Sequence, residues 1–327
     1  MIGGHMKSSF VALIAAAGLV GGITSAQAAD LGGDCCADLE ERVAELEATT
    51  ARKGNRKVSL TVSGWVNESV LFWDDGVESN AYVGTNLVAQ SRFRFVGSAK
   101  INADWSAGYL LEIGTQSARH DGNDATSDDN GSITTAPAAL GIRHSAWWLQ
   151  SKQLGKVWVG QTSSATDAIM EINLANTLHF ATQNASAHAG NFVVQGTGLR
   201  LRAFMGGSNT SGVGNTAAQI GEGERHNVVK YESPTFAGFA LSAAFGEDDL
   251  MDVALRYAGE FSGIKIALGA GYMQWTDGTT NEYNCANIGP GNGCSQIGIS
   301  GAVMHVPTGL YAHAAYGQRQ EDGLAIG

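Results

Sequence analysis

Residues 91–105, SRFRFVGSAKINADW, and residues 108–116, GYLLEIGTQ, contain the pattern that decides the fold. Apolar and polar side chains alternate along both segments, so as a strand each would have one apolar face and one polar face. The short stretch NADWSAG between them predicts a tight connection between two neighbouring strands. The apolar set is Phe93, Phe95, Ala99, Ile101, Tyr109, Leu111 and Ile113, and the polar set is Arg92, Arg94, Ser98, Lys100, Asn102, Glu112 and Gln116.

The same alternation recurs along the chain from Val58 onward, in segments of about eight to twelve residues. Short connections alternate with long or acidic ones, and aromatic side chains gather near the segment ends, as in outer-membrane barrels. The pattern predicts an all-β fold, a transmembrane antiparallel β-barrel, although a secreted β-sandwich or a solenoid would give the same alternation. The aromatic residues are Trp65, Phe72, Trp73, Trp105, Tyr109, Trp147, Trp148, Trp158, Tyr231, Phe236, Tyr272 and Tyr316. The further segments include VSLTVSGWV (58–66), FALSAAF (239–245), DVALRYAG (252–259), GIKIALGAGY (263–272), QIGISGAV (296–303) and GLYAHAAY (309–316).

The composition agrees with strands that have one apolar face. Charged residues make up 16% of the chain, against roughly 25% in ordinary soluble domains. The chain has 44 glycines, and we expect these glycines to let strands and loops approach closely. The net charge of −11 argues against nucleic-acid binding, which prefers a basic surface.

The first 28 residues predict a secretory signal peptide. Lys7 supplies the positive charge, residues 10–23 (FVALIAAAGLVGGI) form the apolar region, and SAQA ends with small residues suited to cleavage. Residues 1–5, upstream of Met6, are interpreted as an overcalled start or a cloning remnant. After residue 30 no apolar run is long enough for a spanning helix, so further membrane insertion must use strands.

Residues 29–56 predict a short periplasmic helical segment and a hinge. Within ADLEERVAELEATTARK, the residues Leu39, Val43 and Leu46 have the spacing of a coiled-coil seam. We interpret it as a trimerising helix, with a periplasmic tether or a solvated linker as the alternatives. Cys35 and Cys36 would then be available for interchain disulfides, because adjacent cysteines bridge each other only with strain.

The remaining chain, residues 57–327, predicts the barrel domain, interrupted by a stretch without sustained alternation at about 163–225. This stretch is either one long loop folded into the lumen or a shorter loop plus a hairpin formed by NFVVQGTGLRLRAFMGG. The first strand is expected to run from near Lys57 to an outer loop at about residues 74–89. The whole sequence then provides about eleven strands, or about thirteen with the doubtful hairpin.

Several of these segments resemble the general-diffusion porins of alphaproteobacterial outer membranes. The resemblance is carried by VWVGQT, NVVKYESPTFAGFALSAAFGEDD and VALRYAGEFSGIKIALGAGY, and DCCADLEERVAELEATTARKGNRKVSL looks like the rhizobial-type branch. It implies a barrel of about 16 strands, usually a homotrimer, with its third outer loop folded inward. Because the sequence stops at EDGLAIG, we expect a partial barrel that lacks several C-terminal strands.

The resemblance implies an outer-membrane channel for passive diffusion of small hydrophilic solutes and ions. Such a pore needs a polar lumen, a constriction and an electric field across it. The acidic side is expected at Asp167 and Glu171 of the inserted loop, placed there by the resemblance, with help from Glu112. A non-conducting barrel that serves as a tether or an adhesin is the alternative. Alternation assigns these basic residues to the lumen: Arg92, Arg94, Lys100, Arg143, Lys230, Arg256 and Lys265.

No enzymatic motif is complete. The 8 histidines are scattered and none has a metal-ligand spacing with another histidine or cysteine, so we expect no metal, no cofactor and no catalysis. Cys285 and Cys294 flank ANIGPGNG in a predicted outer loop. In an oxidising compartment this spacing favours a disulfide, with two free thiols as the alternative.

Overall fold

The described part of the chain consists of antiparallel strands joined by turns and one long loop. The computed structural model describes residues 58–74, 76, 79–115, 140–177, 190, 192–194, 196–201, 220–246, 249–276 and 293–321. The strands are β1 (Val58–Trp65), β2 (Glu68–Asp74), β3 (Ser79–Thr85), β4 (Arg92–Lys100), β5 (Trp105–Gly114), β6 (Gly141–Ser151), β7 (Gly155–Ser163), β8 (Arg225–Glu232), β9 (Phe239–Gly246), β10 (Met251–Phe261), β11 (Ile264–Trp275), β12 (Cys294–His305) and β13 (Leu310–Glu321), with a 3-10 turn at Leu87–Ala89.

Eleven of these strands form one sheet in the order β1-β4-β5-β6-β7-β8-β9-β10-β11-β12-β13, while β2 and β3 pair only with each other. All its pairings are antiparallel and connect neighbours along the chain, apart from the step from β1 to β4. The predicted all-β, antiparallel fold is therefore confirmed. Within the described residues β1 and β13 are the two edges of the sheet, which is open.

Cross-strand register gives the sheet two continuous faces. Arg94 pairs with Glu112 and with Ser63 on its two sides, and Lys230 and Ala244 continue across to Asp252. We call the face that carries these residues the inner face, and the opposite face the outer face. The alternation seen in the sequence therefore corresponds to two chemically different surfaces.

The outer face is apolar and exposed. Val229, Leu241, Leu255 and Ile299 expose between 44% and 50% of their surface. An exposed apolar patch that extends over many strands is stable only against an apolar partner or in an apolar solvent. The hydrocarbon of a membrane is such a solvent. Inner-face residues of the same strands, such as Asp252, are instead buried.

Two aromatic residues lie on a different face from that expected of an interfacial girdle. Trp147 is 53% exposed on the outer face, as expected. Trp148 and Trp158 are cross-strand partners on the inner face, where the ammonium of Lys156 lies 4.5 Å and 3.8 Å from their ring centroids. Adjacent tryptophans in a strand point to opposite sides, so only one of Trp147 and Trp148 can face outward.

The first strand differs from its prediction. It ends at Trp65, and residues 68–85 then form the β2–β3 hairpin where a single strand followed by an outer loop was expected. The interruption at residues 66–67 follows from bonds to residues more than 20 positions along the chain, because Asn67 N–H donates to Ser91 Oγ and the Asn67 amide donates to Ala89 O. A strand pair outside the main sheet therefore lies here, at Glu68–Asp74 and Ser79–Thr85.

The long stretch between β7 and β8 contributes no strand to the sheet, because these two strands pair directly from Lys156–Glu232 to Ser163–Arg225. We call residues 164–224 the inner loop. In its described part, the residues proposed for a hairpin contain an isolated bridge between Val193 and Arg200. The choice between one loop and a loop with a hairpin stays open, because residues 178–189 and 202–219 lie outside the described ranges.

No helix in the described residues has the length and apolar character needed to cross a membrane.

The inner loop packs on the inner face of the last strands. Ala165, Ile169 and Met170 join Met273 and Trp275 in a buried apolar cluster. The loop can come this close because four inner-face positions lack side chains. A Cβ built at any of these would collide with inner-loop atoms, so we name them the glycine seat: Gly269, Gly271, Gly298 and Gly317.

The N-terminal predictions lie outside the described residues. These are the signal peptide at 1–28, the helical segment at 29–56 with Leu39, Val43 and Leu46, and the thiols of Cys35 and Cys36.

Replacing Gly298 by alanine tests the glycine seat. The added Cβ would collide with Gly221 O, so the inner loop must shift, and we expect the free energy of unfolding to fall by about 1–3 kcal/mol. Urea unfolding in micelles, followed by tryptophan fluorescence, measures this. Gly141→Ala is the matched control, because a Cβ there meets nothing within 4 Å. Equal midpoints for the two variants would contradict the packing described here.

Candidate functional site

A cluster of arginines surrounds one buried carboxylate on the inner face of β4, β5 and β6. Glu112 is fully buried, at 0% exposure. Its Oε1 accepts from Arg92 Nη1 at 3.0 Å and from Arg143 Nε at 2.8 Å, while its Oε2 accepts from Arg94 Nε at 2.6 Å. We call these four residues the arginine cluster.

Local sequence explains how these side chains meet. Arg92 and Arg94 are two apart on β4, so both lie on the face of their cross-strand neighbour Glu112. Arg143 reaches the same carboxylate because the register between β5 and β6 shifts at Glu112/Ile113, as in a β-bulge. The side chain of Arg143 also donates from Nη1 to Gln90 Oε1 at 3.2 Å.

The cluster carries unbalanced charge. One carboxylate faces three guanidinium groups, whose side chains are between 10% and 35% exposed. Removing charge from water is costly unless it is paired. The surplus positive charge is therefore available to an anion or to another carboxylate.

Carboxylates of the inner loop supply the second half of the site. Asp167 Oδ2 lies 4.0 Å from Arg225 Nη1, at the start of β8. Glu222 is buried, and its Oε2 accepts from Met170 N–H at 3.1 Å. Glu171 and Glu224 lie in the same part of the loop, close enough to Asp167 for its charge to act on both.

Burial changes the titration of these loop glutamates. Burial, and then the nearby Asp167 carboxylate, raises the pKa of Glu171 to about 7, against the opposing effect of Arg225. Burial and the charges of Glu171 and Asp167 raise the pKa of Glu222 well above its usual range. Burial also raises the pKa of Glu224, and the arginines at 225 and 143 oppose that rise. The Glu171 carboxyl is thus neutral below about pH 7 and charged above it.

The inner loop is anchored by polar side chains of β10 and β12. Asp252 Oδ2 accepts from the backbone N–H of Thr166 at 2.7 Å and from its hydroxyl at 2.8 Å. Arg256 donates to the carbonyl oxygens of Ala165 at 2.9 Å and Asp167 at 2.8 Å. These bonds satisfy backbone groups of an irregular segment that would otherwise be buried without partners.

Two further bonds hold the ends of the described loop segments. Gln296 Oε1 accepts from Gly221 N–H at 2.6 Å, and Ser300 Oγ donates to Ile169 O. Gly223 N–H donates to Thr166 Oγ1 at 3.0 Å, which joins the outgoing and returning limbs of the loop. The loop is therefore held at several points along the inner face.

The structure separates the seven lysines and arginines assigned to the lumen into different groups. Arg92, Arg94 and Arg143 form the arginine cluster, and Arg256 anchors the loop. Lys230 is buried, with its Nζ 2.9 Å from Glu232 Oε1. The remaining two, Lys100 and Lys265, lie exposed at strand ends, with Lys265 3.9 Å from Glu260.

Sequence reasoning missed five residues of the site. Arg225 and Asp252 take part in ion pairing and anchoring, and Asp252 could have been noticed because it shares a strand face with Arg256. Gln296 could have been noticed at the start of the alternating segment QIGISGAV, whereas Glu222 and Glu224 had no such signal, since they lie in a segment without alternation.

The structure describes one of the two cysteines predicted to form a disulfide. Cys294 is buried and disulfide-bonded, while Cys285 lies outside the described residues. Within the described ranges, no group of three or more histidine, cysteine, aspartate or glutamate residues could hold a metal ion.

The sequence and the fold can be compared with those of known proteins. A profile described as Gram-negative porin matches residues 12–325. No curated protein matches the chain. Among solved structures, the loop L8 deletion mutant of OmpT from Vibrio cholerae is 12% identical, with a TM-score of 0.44, over 82% of this chain and 72% of that chain.

Two further solved structures are similar at the same level. The anion-selective porin from Comamonas acidovorans is 13% identical, with a TM-score of 0.41, over 82% of this chain and 80% of that one. The outer-membrane channel DcaP of Acinetobacter baumannii is 13% identical, with a TM-score of 0.40, over 83% and 81%. Because the family profile spans most of the sequence, the chain belongs to the Gram-negative porin family, whose members are outer-membrane diffusion channels rather than enzymes.

Proposed function

We propose that the chain forms a closed, water-filled barrel in which the inner loop narrows the lumen and the inner face lines it. The carrying observation is the anchoring of the loop: Asp252 and Arg256 hold residues 165–167 against the inner face by four hydrogen bonds. A loop held there occupies space that solutes would otherwise cross.

The two halves of the site would create the field of the constriction. The arginine cluster supplies positive charge, and Asp167 and Glu171 supply the acidic side, linked through Arg225. Arg143 is close enough for its charge to act on Glu224. Opposite charges across a narrow aqueous passage order water and polar solutes, so small hydrophilic solutes and ions would pass without a chemical step.

The apolar outer face fits the hydrocarbon of the outer membrane. We propose a homotrimer, in which the segment at 29–56 lies in the periplasm and Leu39, Val43 and Leu46 form the seam of a short coiled coil. Interchain disulfides through Cys35 and Cys36 and the placement in the rhizobial-type branch belong to the same proposal. For Cys285, a disulfide with Cys294 is supported by the bonded state of Cys294.

Planar-bilayer reconstitution of the full-length protein tests the pore. We expect stepwise, water-filled conductance, with steps in multiples of three if the channels are trimers. A well-folded protein that conducts no current would contradict the proposal and would favour a tether or an adhesin.

Replacing Arg94 by glutamine tests whether the arginine cluster faces the permeation path. Arg94 is the most exposed of the three arginines, at 35%, so Glu112 keeps two partners in the variant. One unit charge at about 8 Å contributes about 1 kcal/mol at an intermediate dielectric, so the cation-to-anion permeability ratio should rise by about threefold to fivefold. Reversal potentials in a salt gradient measure the ratio. Lys100→Gln, at an exposed strand end, is the control, and an unchanged ratio for R94Q would remove the cluster from the path.

Replacing Glu112 by glutamine tests the structural role of its carboxylate. The variant leaves three guanidinium groups without their shared counter-charge, and losing one partner of a buried pair costs about 3–5 kcal/mol. Urea unfolding in micelles should show that loss. Glu260→Gln is the matched control, because Glu260 and Lys265 are exposed and such pairs contribute only about 0–1 kcal/mol. Similar unfolding of both variants would show that the cluster is not held by this carboxylate.

A further inference from the structure

The charges around the inner loop are unequal in number. Within the described residues, four guanidinium groups, those of Arg92, Arg94, Arg143 and Arg225, have two carboxylates, Glu112 and Asp167, as ion-pair partners. These pairs leave a net of two positive charges. Elsewhere on the inner face, Lys230 is paired with Glu232.

Three further carboxyl groups lie beside this cluster and make no ion pair with it within the described residues. Glu171 belongs to the outgoing limb of the loop, and Glu222 and Glu224 belong to its returning limb. Glu222 is 7% exposed and accepts from a backbone N–H, which is a neutral donor. A carboxyl group in such surroundings changes the charge of the constriction only when it loses its proton.

We propose that the constriction prefers small anionic solutes, such as inorganic anions and short carboxylates, and that Glu171, Glu222 and Glu224 weaken this preference as they ionise. The inference rests on the proposed pore.

The charged and titratable groups that act on the three glutamates, directly or through Asp167, Arg225 and Arg256, lie in the loop and on β4, β6, β8 and β10. Positive and negative charges lie close together here, and the ionisation of the three glutamates determines the sign of the net charge. These groups are Asp167 in the loop, Arg225 on β8, Arg143 and His144 on β6, Arg92 on β4, and Asp252 and Arg256 on β10.

The direction of the pH effect follows from burial. Because the pKa of Glu171 is raised to about 7, this carboxyl is neutral in mild acid and does not offset the surplus positive charge. As the pH rises through 7, Glu171 adds one negative charge beside Asp167. Ionisation of Glu222 and Glu224, whose pKa values are also raised, extends the same change to higher pH.

Reversal potentials of the full-length protein in a potassium chloride gradient test the inference between pH 5.5 and 8.5. We expect a potassium-to-chloride permeability ratio below one at pH 5.5, and a rise of at least about twofold by pH 8.5. Parallel measurements with potassium acetate distinguish a general preference for anions from a preference for chloride.

Glu171→Gln isolates the residue responsible near neutral pH. At pH 5.5 the potassium-to-chloride permeability ratio of the variant should equal that of the unmodified protein. The rise in this ratio between pH 5.5 and 7.5 should be less than half that of the unmodified protein. Glu260→Gln, in the exposed pair with Lys265, should retain the full rise.

Three results would overturn the inference: a ratio above one at pH 5.5, a ratio independent of pH, or a rise in E171Q equal to that of the unmodified protein. A protein that forms no channel at any pH would instead overturn the proposed function itself, and this inference with it.

Discussion

The rest of the site depends on the hydrogen bonds between the Asp252 carboxylate and Thr166 of the inner loop. An irregular backbone segment packed on a sheet face needs partners for its buried N–H groups, and Asp252 provides one for Thr166 with two hydrogen bonds at 2.7 Å and 2.8 Å. Arg256, four residues further along β10 on the same face, donates to the carbonyl oxygens on either side of Thr166. With this contact in place, the acidic residues of the loop lie beside Arg225 and the arginine cluster.

Steric room is the second requirement. Polar anchoring alone would not bring the loop against the strands if side chains stood in between. The glycine seat removes them on β11, β12 and β13, so the loop backbone approaches the sheet directly. The chain is rich in glycine overall, and the four glycines of the glycine seat have a specific role, which is to let the loop backbone approach one part of the inner face.

The sequence predicted those features that depend on local order. Alternation with a period of two places Arg92 and Arg94 on the same face of β4, and it separates that face from the exposed apolar one. It could not predict contacts that depend on pairing or on distant segments. Arg143 reaches Glu112 through a shift in register, and Asp252 meets Thr166 across 86 residues of chain. The β2–β3 hairpin was missed because the interruption at residues 66–67 depends on hydrogen bonds from Asn67 to a distant strand end.

Hydrogen–deuterium exchange of the full-length protein tests the anchored loop most directly. The amides of Thr166, Met170, Gly221 and Gly223 all donate to buried oxygen acceptors. Peptides covering residues 164–172 and 220–224 should therefore exchange as slowly as peptides from β10 and β11. Exchange of these peptides as fast as that of a solvated loop would contradict the account, because a loop that is not held on the inner face could not define the constriction.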